Sequence, residues 1–460
     1  MGNEELKAGI FSIDNHQLTI ENGQLPIIEY ARRSGVEIPS LCYANGAAHK
    51  SSCMMCAVSN AASGQIIPAC STVPVNGMQI VTDSEEIRTV RTLSLELLLS
   101  DHRADCEAPC KIACPAGFNV AAMNRMFDAG KIEDAAEFMR DSLVIPATLC
   151  YICNAPCEKI CRKKDLAEPV AIREIKKMLV SKTSDGKINR IKNNGKKTAI
   201  IGSNPAGLSA AYRLRKQGCE VTVFEKFDKI LIPHIEADKT PLETVELEIG
   251  IIRQTGVKFI TSFNSLPTDS FDGIISVSGD ETYPDAVKLT AKTRQPARLV
   301  LEGFKLAEKL FSEMSGNIKA TEILAENRIF NSTYGRFNEN EKRELLKKTE
   351  SDARTSGCLY CDCNSKNDCR LRSCATAYGI KNTRYLRESS LPAMNCVEAG
   401  NLRFEAAKCI RCGLCVYNSI NGFTFKNRGF VMQVTLPEGN AGNVPESIAE
   451  LCPTGAICRA

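Results

Sequence analysis

The sequence has no run of about 18 apolar residues, the length that a membrane-spanning helix requires. Its 58 basic and 54 acidic residues nearly cancel, to a formal charge of +4, and no basic run is long enough to form a patch. A surface that binds nucleic acid or an anionic membrane is therefore not expected. The first residues, "MGNEELKAGIFSIDN", lack the charged start, apolar core and small-residue cleavage site of a secretion signal. We expect a cytoplasmic protein.

Cysteine, by contrast, is abundant, with 23 residues among 460. Disulfides are not expected in a reducing compartment. The cysteines lie in groups with short gaps, and only Cys219, Cys396 and Cys458 stand clearly apart. Grouped thiols of this kind are typical of metal ligands. A single group would suggest zinc, but four groups, with "CP" dipeptides among them, indicate iron-sulphur clusters.

The pattern of apolar residues changes along the chain, which is too long for one compact domain. Alternating apolar residues predict short strands over 1–82, with a hairpin that turns near Asp14 and Asn15 and a helix in "LPIIEYARRSG" that ends at Gly35. Helical patterns follow over 83–190. A strand-turn-helix-strand opening, "TAIIGSNPAGLSAAYRLRKQGCEVTVFEK", begins a segment over 196–320. A helical connector over 321–356 and a cysteine-rich segment over 357–460 complete the chain.

The first cysteine group predicts a [2Fe-2S] site. Its spacing, C-x10-C-x2-C-x13-C, lets one long loop hold three thiolates while a fourth arrives from a distant strand. The segment resembles the β-grasp ferredoxin domain of the large iron-sulphur subunit of respiratory complex I, which also occurs in NADH-linked hydrogenases and formate dehydrogenases. A zinc knuckle is the alternative, but its first gap is usually shorter. The expected ligands are Cys42, Cys53, Cys56 and Cys70.

The stretch "DHRADCEAPCKIACP" opens the second group. In the complex I family the ferredoxin domain precedes a His-x3-Cys-x2-Cys-x5-Cys site for a [4Fe-4S] cluster, and His102 and Cys106 match its first two positions. The continuation departs from that pattern. It resembles instead the N-terminal iron-sulphur domain of the glutamate synthase small subunit and of dihydropyrimidine dehydrogenase, which requires a second cysteine run. "LCYICNAPCEKICRKK" supplies that run.

In this second family the two runs interleave, so the resemblance implies two [4Fe-4S] sites. The ligands implied for one are His102, Cys106, Cys110 and Cys161; those for the other are Cys114, Cys153 and Cys157 with a fourth. The family's fourth ligand aligns with Lys176, a cation that cannot bind iron. Cys150 or Glu174 must replace it, and we favour Cys150 because thiolate is the better ligand. For His102, a solvated or helix-capping role is the alternative to ligation.

"GSNPAG" corresponds to the G-x-G-x-x-G of the FAD domain in the glutamate synthase small subunit, which it resembles. Gly202 and Gly207 keep the first and third glycines, Asn204 replaces the second, and Glu225 lies where an acidic residue binds the ribose. Asn tolerates a positive φ, but its side chain intrudes on the phosphate. The family's NADPH domain is missing, since "FDGIISVSGD" leads almost directly to the closing helix "TRQPARLVLEGFKLAEKL". FAD binding is left open.

Two further [4Fe-4S] sites are expected near the C-terminus. The first is assigned to Cys358, Cys361, Cys363 and Cys369, with zinc as the alternative. The second resembles a bacterial ferredoxin reduced to one cluster, in which three ligands on one loop and a remote "CP" cysteine close the site. Its expected ligands are Cys409, Cys412, Cys415 and Cys452.

The sequence thus predicts a multidomain α+β and α/β protein that joins a β-grasp ferredoxin domain, a helical double-cluster domain, a truncated Rossmann-like FAD fold and a C-terminal ferredoxin-like domain. We expect an electron-transfer subunit with one [2Fe-2S] and up to four [4Fe-4S] clusters. Its expected partners are oxidoreductase subunits of hydrogenase, formate dehydrogenase or NADH-oxidising flavoprotein type. The alternatives are an FAD-dependent NAD(P)H:acceptor oxidoreductase active on its own and a structural subunit whose clusters only staple small domains.

Overall fold

The computed structural model describes residues 9–21, 25–100, 102, 106–182, 191–235, 239–266, 268–279, 282–315, 356–363, 368–380, 385, 396–436 and 444–459. They form two compact units. The terminal unit contains the described residues up to Glu107 and from Asp362 onward, and the inner unit contains those from Ala108 to Cys361. The terminal unit is therefore interrupted in sequence by the inner one. The predicted connector over 321–356 lies almost entirely outside the described residues.

The terminal unit begins with a mixed five-stranded sheet. Its strands are β1 (Ile10–Ile13), β2 (His16–Thr19), β3 (Ala57–Asn60), β4 (Gln65–Pro68) and β5 (Gln79–Val81), in the order β2-β1-β5-β3-β4. Only β1 and β5 are parallel. The predicted hairpin is confirmed: Asp14 and Asn15 have φ values of 46° and 68°, which suit a tight turn between twisted strands. Helix α1 (Ile27–Arg33) buries its apolar side, and α2 (Glu85–Ser100) follows the sheet.

The inner unit opens with short helices, as the sequence predicts. They are α3 (Pro109–Ala113), α4 (Val120–Asp128), α5 (Ile132–Leu143), α6 (Pro146–Ile152), α7 (Pro156–Lys159) and α8 (Ile172–Lys182). Proline begins α3, α6 and α7, where its missing N–H costs no hydrogen bond. The Asn119 side chain accepts a hydrogen bond from the Ala122 amide at the start of α4. Short helices joined by tight turns bring their terminal cysteines together.

A parallel sheet forms the rest of the inner unit. The elements are β6 (Lys197–Ile201), α9 (Pro205–Lys216), β7 (Glu220–Glu225), α10 (Leu242–Gln254), β8 (Lys258–Thr261), β9 (Gly273–Ser276), β10 (Val287–Lys288) and α11 (Pro296–Ser315). The strand order, β8-β7-β6-β9-β10, is that of a Rossmann half-fold. Helix α11 packs closely on α9 at Gly303. This close approach requires glycine, because a Cβ there would overlap the carbonyl oxygen of Ala206. The Rossmann-like fold is confirmed.

The chain then returns to the terminal unit through short elements: α12 (Arg370–Ala377), β11 (Cys396–Ala399), β12 (Leu402–Glu405), α13 (Leu414–Tyr417), β13 (Thr424–Lys426), β14 (Gln433–Thr435), α14 (Ile448–Leu451) and β15 (Ile457–Arg459). Strands β11, β12 and β15 form an antiparallel sheet, and β13 pairs with β14. In the described part of the chain, no helix combines the length and apolar character needed to cross a bilayer. The fold is thus mixed α/β with several modules.

Candidate metal centres

Four buried thiols meet at one end of the first sheet. Cys56 directly precedes β3 and Cys70 follows β4, and the antiparallel pairing of Ala57 with Pro68 brings these two cysteines together. Cys42 and Cys53 come from the long loop between α1 and β3, and all four side chains are at most 2% exposed. The structure therefore brings together the whole predicted [2Fe-2S] set.

The surroundings of these thiols suit thiolate ligands. The Ser52 amide donates to the Cys42 sulphur at 3.5 Å, and the Ser51 hydroxyl lies 3.2 Å from the Cys70 sulphur. Hydrogen bonding to the Cys53 and Cys70 thiols lowers the pKa of Cys42, whereas the bond to Cys42 and burial raise the pKa of Cys53. N–H groups directed at sulphur stabilise the anionic form that iron binds. This site fits a [2Fe-2S] cluster.

A second set of thiols, two buried and two half-buried, lies in the C-terminal part of the terminal unit. Its four thiols line one cavity together with apolar side chains such as Phe404 and Val434. Burial raises the pKa of Cys409 to about 12, with the Cys452 thiol adding to the rise. The Arg411 amide donates to the Cys409 sulphur at 3.3 Å. The structure brings together the predicted ligands Cys409, Cys412, Cys415 and Cys452.

His102 is buried in the terminal unit with an exposure of 5%. Its Nδ1 lies 3.1 Å from the Lys408 carbonyl oxygen. Because a carbonyl only accepts hydrogen bonds, Nδ1 carries the proton and Nε2 presents a lone pair. Burial, and then the Lys408 charge, lower the pKa of His102 to about 4, so the imidazole is neutral at neutral pH. It is in the form that a metal ligand requires.

Two of the predicted sets are divided by the boundary between the units. In the set His102, Cys106, Cys110 and Cys161, the first two residues lie in the terminal unit and the other two in the inner unit. The set Cys358, Cys361, Cys363 and Cys369 is divided after Cys361. In the terminal unit, Cys106 and Cys369 share one apolar cluster, and the Cys363 thiol adds to the rise that burial gives the pKa of Cys369. These two predicted groupings therefore stay predictions.

In the inner unit, Cys110 and Cys161 line a small apolar cavity with Cys358 and Cys361. Burial raises the pKa of Cys110, and the thiols of Cys358 and Cys361 are the next largest contributions to that rise. The sequence analysis missed this proximity. Local spacing contained one signal: "CLYC" is a C-x2-C pair, a common arrangement for two ligands on one turn.

The other inner set surrounds a buried lysine. Burial raises the pKa of Cys157 to about 11, the Lys176 ammonium opposes this rise, and the Cys114 and Cys153 thiols add to it. Lys176 is 8% exposed, with its Nζ atom 5.2 Å from the centre of the Phe118 ring. Such a cation balances the negative charge of thiolates, although it cannot bind iron.

The choice of fourth ligand for this inner set is narrowed by burial. Cys150 is 4% exposed, and the Lys176 ammonium and the Cys157 thiol both act on its pKa, which burial raises to about 12. The Glu174 side chain is 71% exposed and pairs with Lys177 at 3.1 Å. The geometry therefore favours Cys150 over Glu174.

Within the described ranges, no three His, Cys, Asp or Glu side chains are arranged to hold a single metal ion. In a [4Fe-4S] cluster each protein ligand binds a different iron atom, so the ligands surround a group rather than a point. A shared cavity and shared charges, rather than convergence on one point, are therefore what mark a site for such a cluster.

The nucleotide motif departs from its expected chemistry. Asn204 has a φ of −64°, not a positive value, and caps α9. Its Oδ1 accepts hydrogen bonds from the amides of Ala206 at 2.9 Å and Gly207 at 3.1 Å, and its Nδ2 donates to the Val277 carbonyl at 3.0 Å. These helix N-terminal amides are the groups that hold a pyrophosphate. The side-chain carboxamide of the chain itself occupies that position.

Glu225, the predicted ribose ligand, is also satisfied within the chain. Its Oε2 accepts hydrogen bonds from the Ser203 amide at 2.8 Å and hydroxyl at 2.6 Å, and it lies 2.8 Å from His234 Nε2. Burial alone would raise the pKa of Glu225, but these hydrogen bonds outweigh it and lower the pKa to about 2. Gly202 and Gly207 keep their packing roles, since a Cβ at Gly207 would overlap the Gly202 carbonyl oxygen. The residues present do not fit FAD or NAD(P)H bound in the usual way.

Three family models match parts of the chain. Residues 10–85 match a "2Fe-2S iron-sulfur cluster binding domain", residues 96–188 match "Dihydroprymidine dehydrogenase domain II, 4Fe-4S cluster", and residues 200–248 match an "NAD(P)-binding Rossmann-like domain". The chain thus contains [2Fe-2S]-type, [4Fe-4S]-type and Rossmann-like domains, as the sequence analysis predicts.

Several oxidoreductase subunits are similar to this chain over part of their length. The beta subunit of the NADP(+)-dependent formate dehydrogenase of Moorella thermoacetica is 30% identical over 33% of this chain and 25% of its own. The small chain of Bacillus subtilis glutamate synthase is 28% identical over 48% of this chain and 49% of its own. The beta subunit of the Geobacter sulfurreducens NADPH-Fe(3+) oxidoreductase is 26% identical over 33% and 24%. The chain therefore spans half or less of the length of these relatives.

Among solved structures, an NAD+-reducing [NiFe]-hydrogenase in the H2-reduced state aligns with 98% of this chain and 87% of its own, with a TM-score of 0.38 and 12% identity.

Proposed function

We propose that the protein is an electron-transfer subunit that relays single electrons between partner oxidoreductase subunits. The main support is the proximity of three thiol sets in the terminal unit: Cys42, Cys106 and Cys369 belong to one apolar cluster, and Cys412 packs against it. Burial raises the pKa of Cys412, and the thiols that raise it further include Cys42 of the [2Fe-2S] set. Cys452 of the same C-terminal set in turn raises the pKa of Cys369. This proximity supports a relay between clusters rather than clusters that only hold the fold together.

The ligand sets follow from the two units taken separately. In the terminal unit we assign His102, Cys106, Cys363 and Cys369 to one [4Fe-4S] site. The five residues between Cys363 and Cys369 match the last gap of the His-x3-Cys-x2-Cys-x5-Cys pattern, which the inner unit interrupts after Cys106. The remaining sets are Cys42, Cys53, Cys56 and Cys70 for [2Fe-2S], and Cys409, Cys412, Cys415 and Cys452 and Cys114, Cys150, Cys153 and Cys157 for [4Fe-4S].

Bound in these sites, iron-sulphur clusters supply one-electron transfer at potentials set by ligands, hydrogen bonds and burial. The protein's own groups perform the tuning. Amides of Ser52 and Arg411 donate to ligand sulphurs, Lys176 places a buried positive charge beside one set, and His102 replaces an anionic thiolate by a neutral ligand. Each of these reduces local negative charge and favours the reduced cluster.

The Rossmann-like domain has a structural role in this proposal. Asn204 and Glu225 are both engaged by the chain where a dinucleotide would bind. We therefore infer that substrate chemistry takes place on partner subunits of hydrogenase, formate dehydrogenase or NADH-oxidising flavoprotein type. We also propose that the subunit works in the cytoplasm.

Iron, sulphide and flavin analysis of the anaerobically purified chain tests the proposal. The four ligand sets, with a fifth formed by Cys110, Cys161, Cys358 and Cys361, predict about 18 iron atoms per chain and no flavin. About ten iron atoms would remove half of the ligand assignments. Bound FAD together with pyridine-nucleotide oxidation by the isolated chain would favour the independent flavoprotein reductase instead.

A second measurement separates a conductor from a structural subunit. Rapid mixing with a low-potential donor should reduce the clusters in milliseconds to seconds, the time of an ordinary enzyme turnover. Clusters that stay oxidised on that timescale, at full iron content, would assign them a purely structural role.

A further inference from the structure

The inner unit contains a metal site whose ligands come from opposite ends of its sequence. We propose that Cys110, Cys161, Cys358 and Cys361 are the four ligands of one [4Fe-4S] cluster. This proposal rests on the proposed function, since the cluster would be one of those through which the electrons pass. The ligand set itself is supported by the anchoring of the 356–361 segment, by the convergence of the four thiols and by the polar groups around them.

The segment that carries Cys358 and Cys361 is fixed to α4. The carboxylate of Asp128, at the end of that helix, accepts hydrogen bonds from the Ser356 amide and hydroxyl, both at 2.6 Å, and from the Tyr360 hydroxyl. The Arg125 guanidinium covers the Tyr360 ring at 5.1 Å from its centre. These contacts join residues far apart in sequence, so the position of the C-x2-C pair is built into the inner unit.

The four thiols converge on one apolar cavity. Cys110 lies in the first turn of α3 and Cys161 directly follows the turn after α7, two helices that pack together. Both line the cavity with Cys358 and Cys361. The remaining lining is largely apolar, including Val120, Val170 and Ile172. A small, largely apolar cavity lined by four thiols fits a cubane cluster better than it fits a buried hydrophobic contact.

Polar groups directed at the site also point to a ligand. The Tyr360 amide donates to the Cys358 sulphur at 3.4 Å. Asn124 is 0% exposed and lines this cavity, and its Oδ1 atom has no hydrogen-bond partner among the described residues. Its side chain acts on the Cys358 thiol, where it opposes the rise that burial gives the pKa. A buried amide with incomplete hydrogen bonding is costly. Cluster sulphur atoms would give its N–H group an acceptor, and the basic side chains of Arg162 and Lys163 would balance the negative charge.

Iron content of single and double variants tests which thiols share a cluster. Cys110→Ala and Cys358→Ala should each lose about four of about 18 iron atoms, and the double variant should lose no more than either one. Combining Cys358→Ala with Cys415→Ala, from the terminal unit, should lose about eight. Cys396→Ala, which removes an exposed cysteine outside every set, is the matched control and should keep all iron.

A loss of about eight iron atoms in the Cys110→Ala/Cys358→Ala variant would overturn the assignment, because the two residues would then serve different clusters. So would a full iron content in Cys358→Ala, or zinc in place of iron in the wild type. If the variants do not fold, alkylation of the wild-type holoprotein decides the question. During gradual cluster removal by a chelator, the four thiols should become reactive together, whereas reactivity of Cys358 and Cys361 before Cys110 and Cys161 would contradict the proposal.

The same data separate this inference from the proposed function. A shared loss of iron from clusters that never accept electrons would support the ligand set and contradict the relay. Rapid reduction of clusters in a protein whose Cys358→Ala variant retains full iron would support the relay and contradict the ligand set.

Discussion

The ring of His102 donates through Nδ1 to the carbonyl of Lys408, the residue directly before Cys409, at 3.1 Å. The Thr454 hydroxyl donates to the same carbonyl at 3.0 Å, two residues beyond Cys452. One backbone oxygen therefore connects the imidazole with both ends of the C-terminal cysteine set. The hydrogen bond from Nδ1 to the Lys408 carbonyl fixes the tautomer of His102 and directs Nε2 away from Lys408, as expected for a metal-binding histidine.

His102→Cys should keep the iron content and lower the midpoint potential of one [4Fe-4S] cluster, by on the order of 100 mV, because thiolate adds a negative charge that imidazole lacks. Redox titration followed by EPR measures the shift. His16→Ala, at an exposed position of β2, is the control and should leave every potential unchanged. Unaltered potentials in His102→Cys would return this histidine to a structural role.

Removal of the C-terminal cluster should change the EPR signal of the reduced [2Fe-2S] cluster. Cys42 and Cys412 act on each other electrostatically and pack in the same apolar cluster, so two reduced paramagnetic clusters held there would couple magnetically. Cys415→Ala removes a ligand on the C-terminal set alone and should abolish that coupling. A wild-type [2Fe-2S] signal identical to that of Cys415→Ala would contradict the close approach of the two clusters.

Local chemistry explains what the sequence could predict. The Asp14-Asn15 turn follows from residue types that tolerate a positive φ, and the parallel sheet follows from the alternation of strands and helices. The [2Fe-2S] set and the C-terminal set were also accessible, because the ligands of each set lie within one module of the chain. The grouping of Cys358 with Cys110 was not accessible, since it depends on where the Asp128 carboxylate holds a remote segment.

Asn204 shows a different limit. Residue type alone suggested that asparagine would imitate the left-handed backbone of glycine, but its φ is −64°. The helix-capping geometry satisfies two amide donors and is the more stable arrangement when no phosphate is bound. The sequence could show that asparagine replaces the second glycine of the motif, but not that its side chain would cap α9.

The inner unit should be less stable in acid than at neutral pH, because Glu225 loses its stabilising charge when it is protonated. Its pKa falls from an ordinary 4.5 to about 2 in the folded protein, where burial is outweighed by hydrogen bonds from His234 and Ser203. Its stabilising contribution is therefore complete above pH about 4.5 and is lost as the pH falls towards 2. Glu225→Gln should lower the free energy of unfolding by about 3 kcal/mol at pH 7 and by about 1.5 kcal/mol at pH 3.

Urea denaturation followed by circular dichroism at both pH values measures this difference. Glu243→Gln, an exposed carboxylate in the first turn of α10, is the control and should change stability little at either pH. A destabilisation by Glu225→Gln that is the same at pH 7 and pH 3 would show that the effect comes from packing rather than from the carboxylate charge.

Asp128 should control how firmly the inner unit retains iron. Its carboxylate holds Ser356 and Tyr360, and therefore the C-x2-C pair between and beyond them, yet it is not itself proposed as a ligand. Asp128→Ala should speed the release of about four iron atoms to a chelator several-fold, while the other clusters keep their wild-type rates. Asp134→Ala, an exposed carboxylate in the first turn of α5, is the matched control. If Asp128→Ala accelerated release from every cluster equally, the effect would be general destabilisation, and the carboxylate would not be positioning this pair of cysteines.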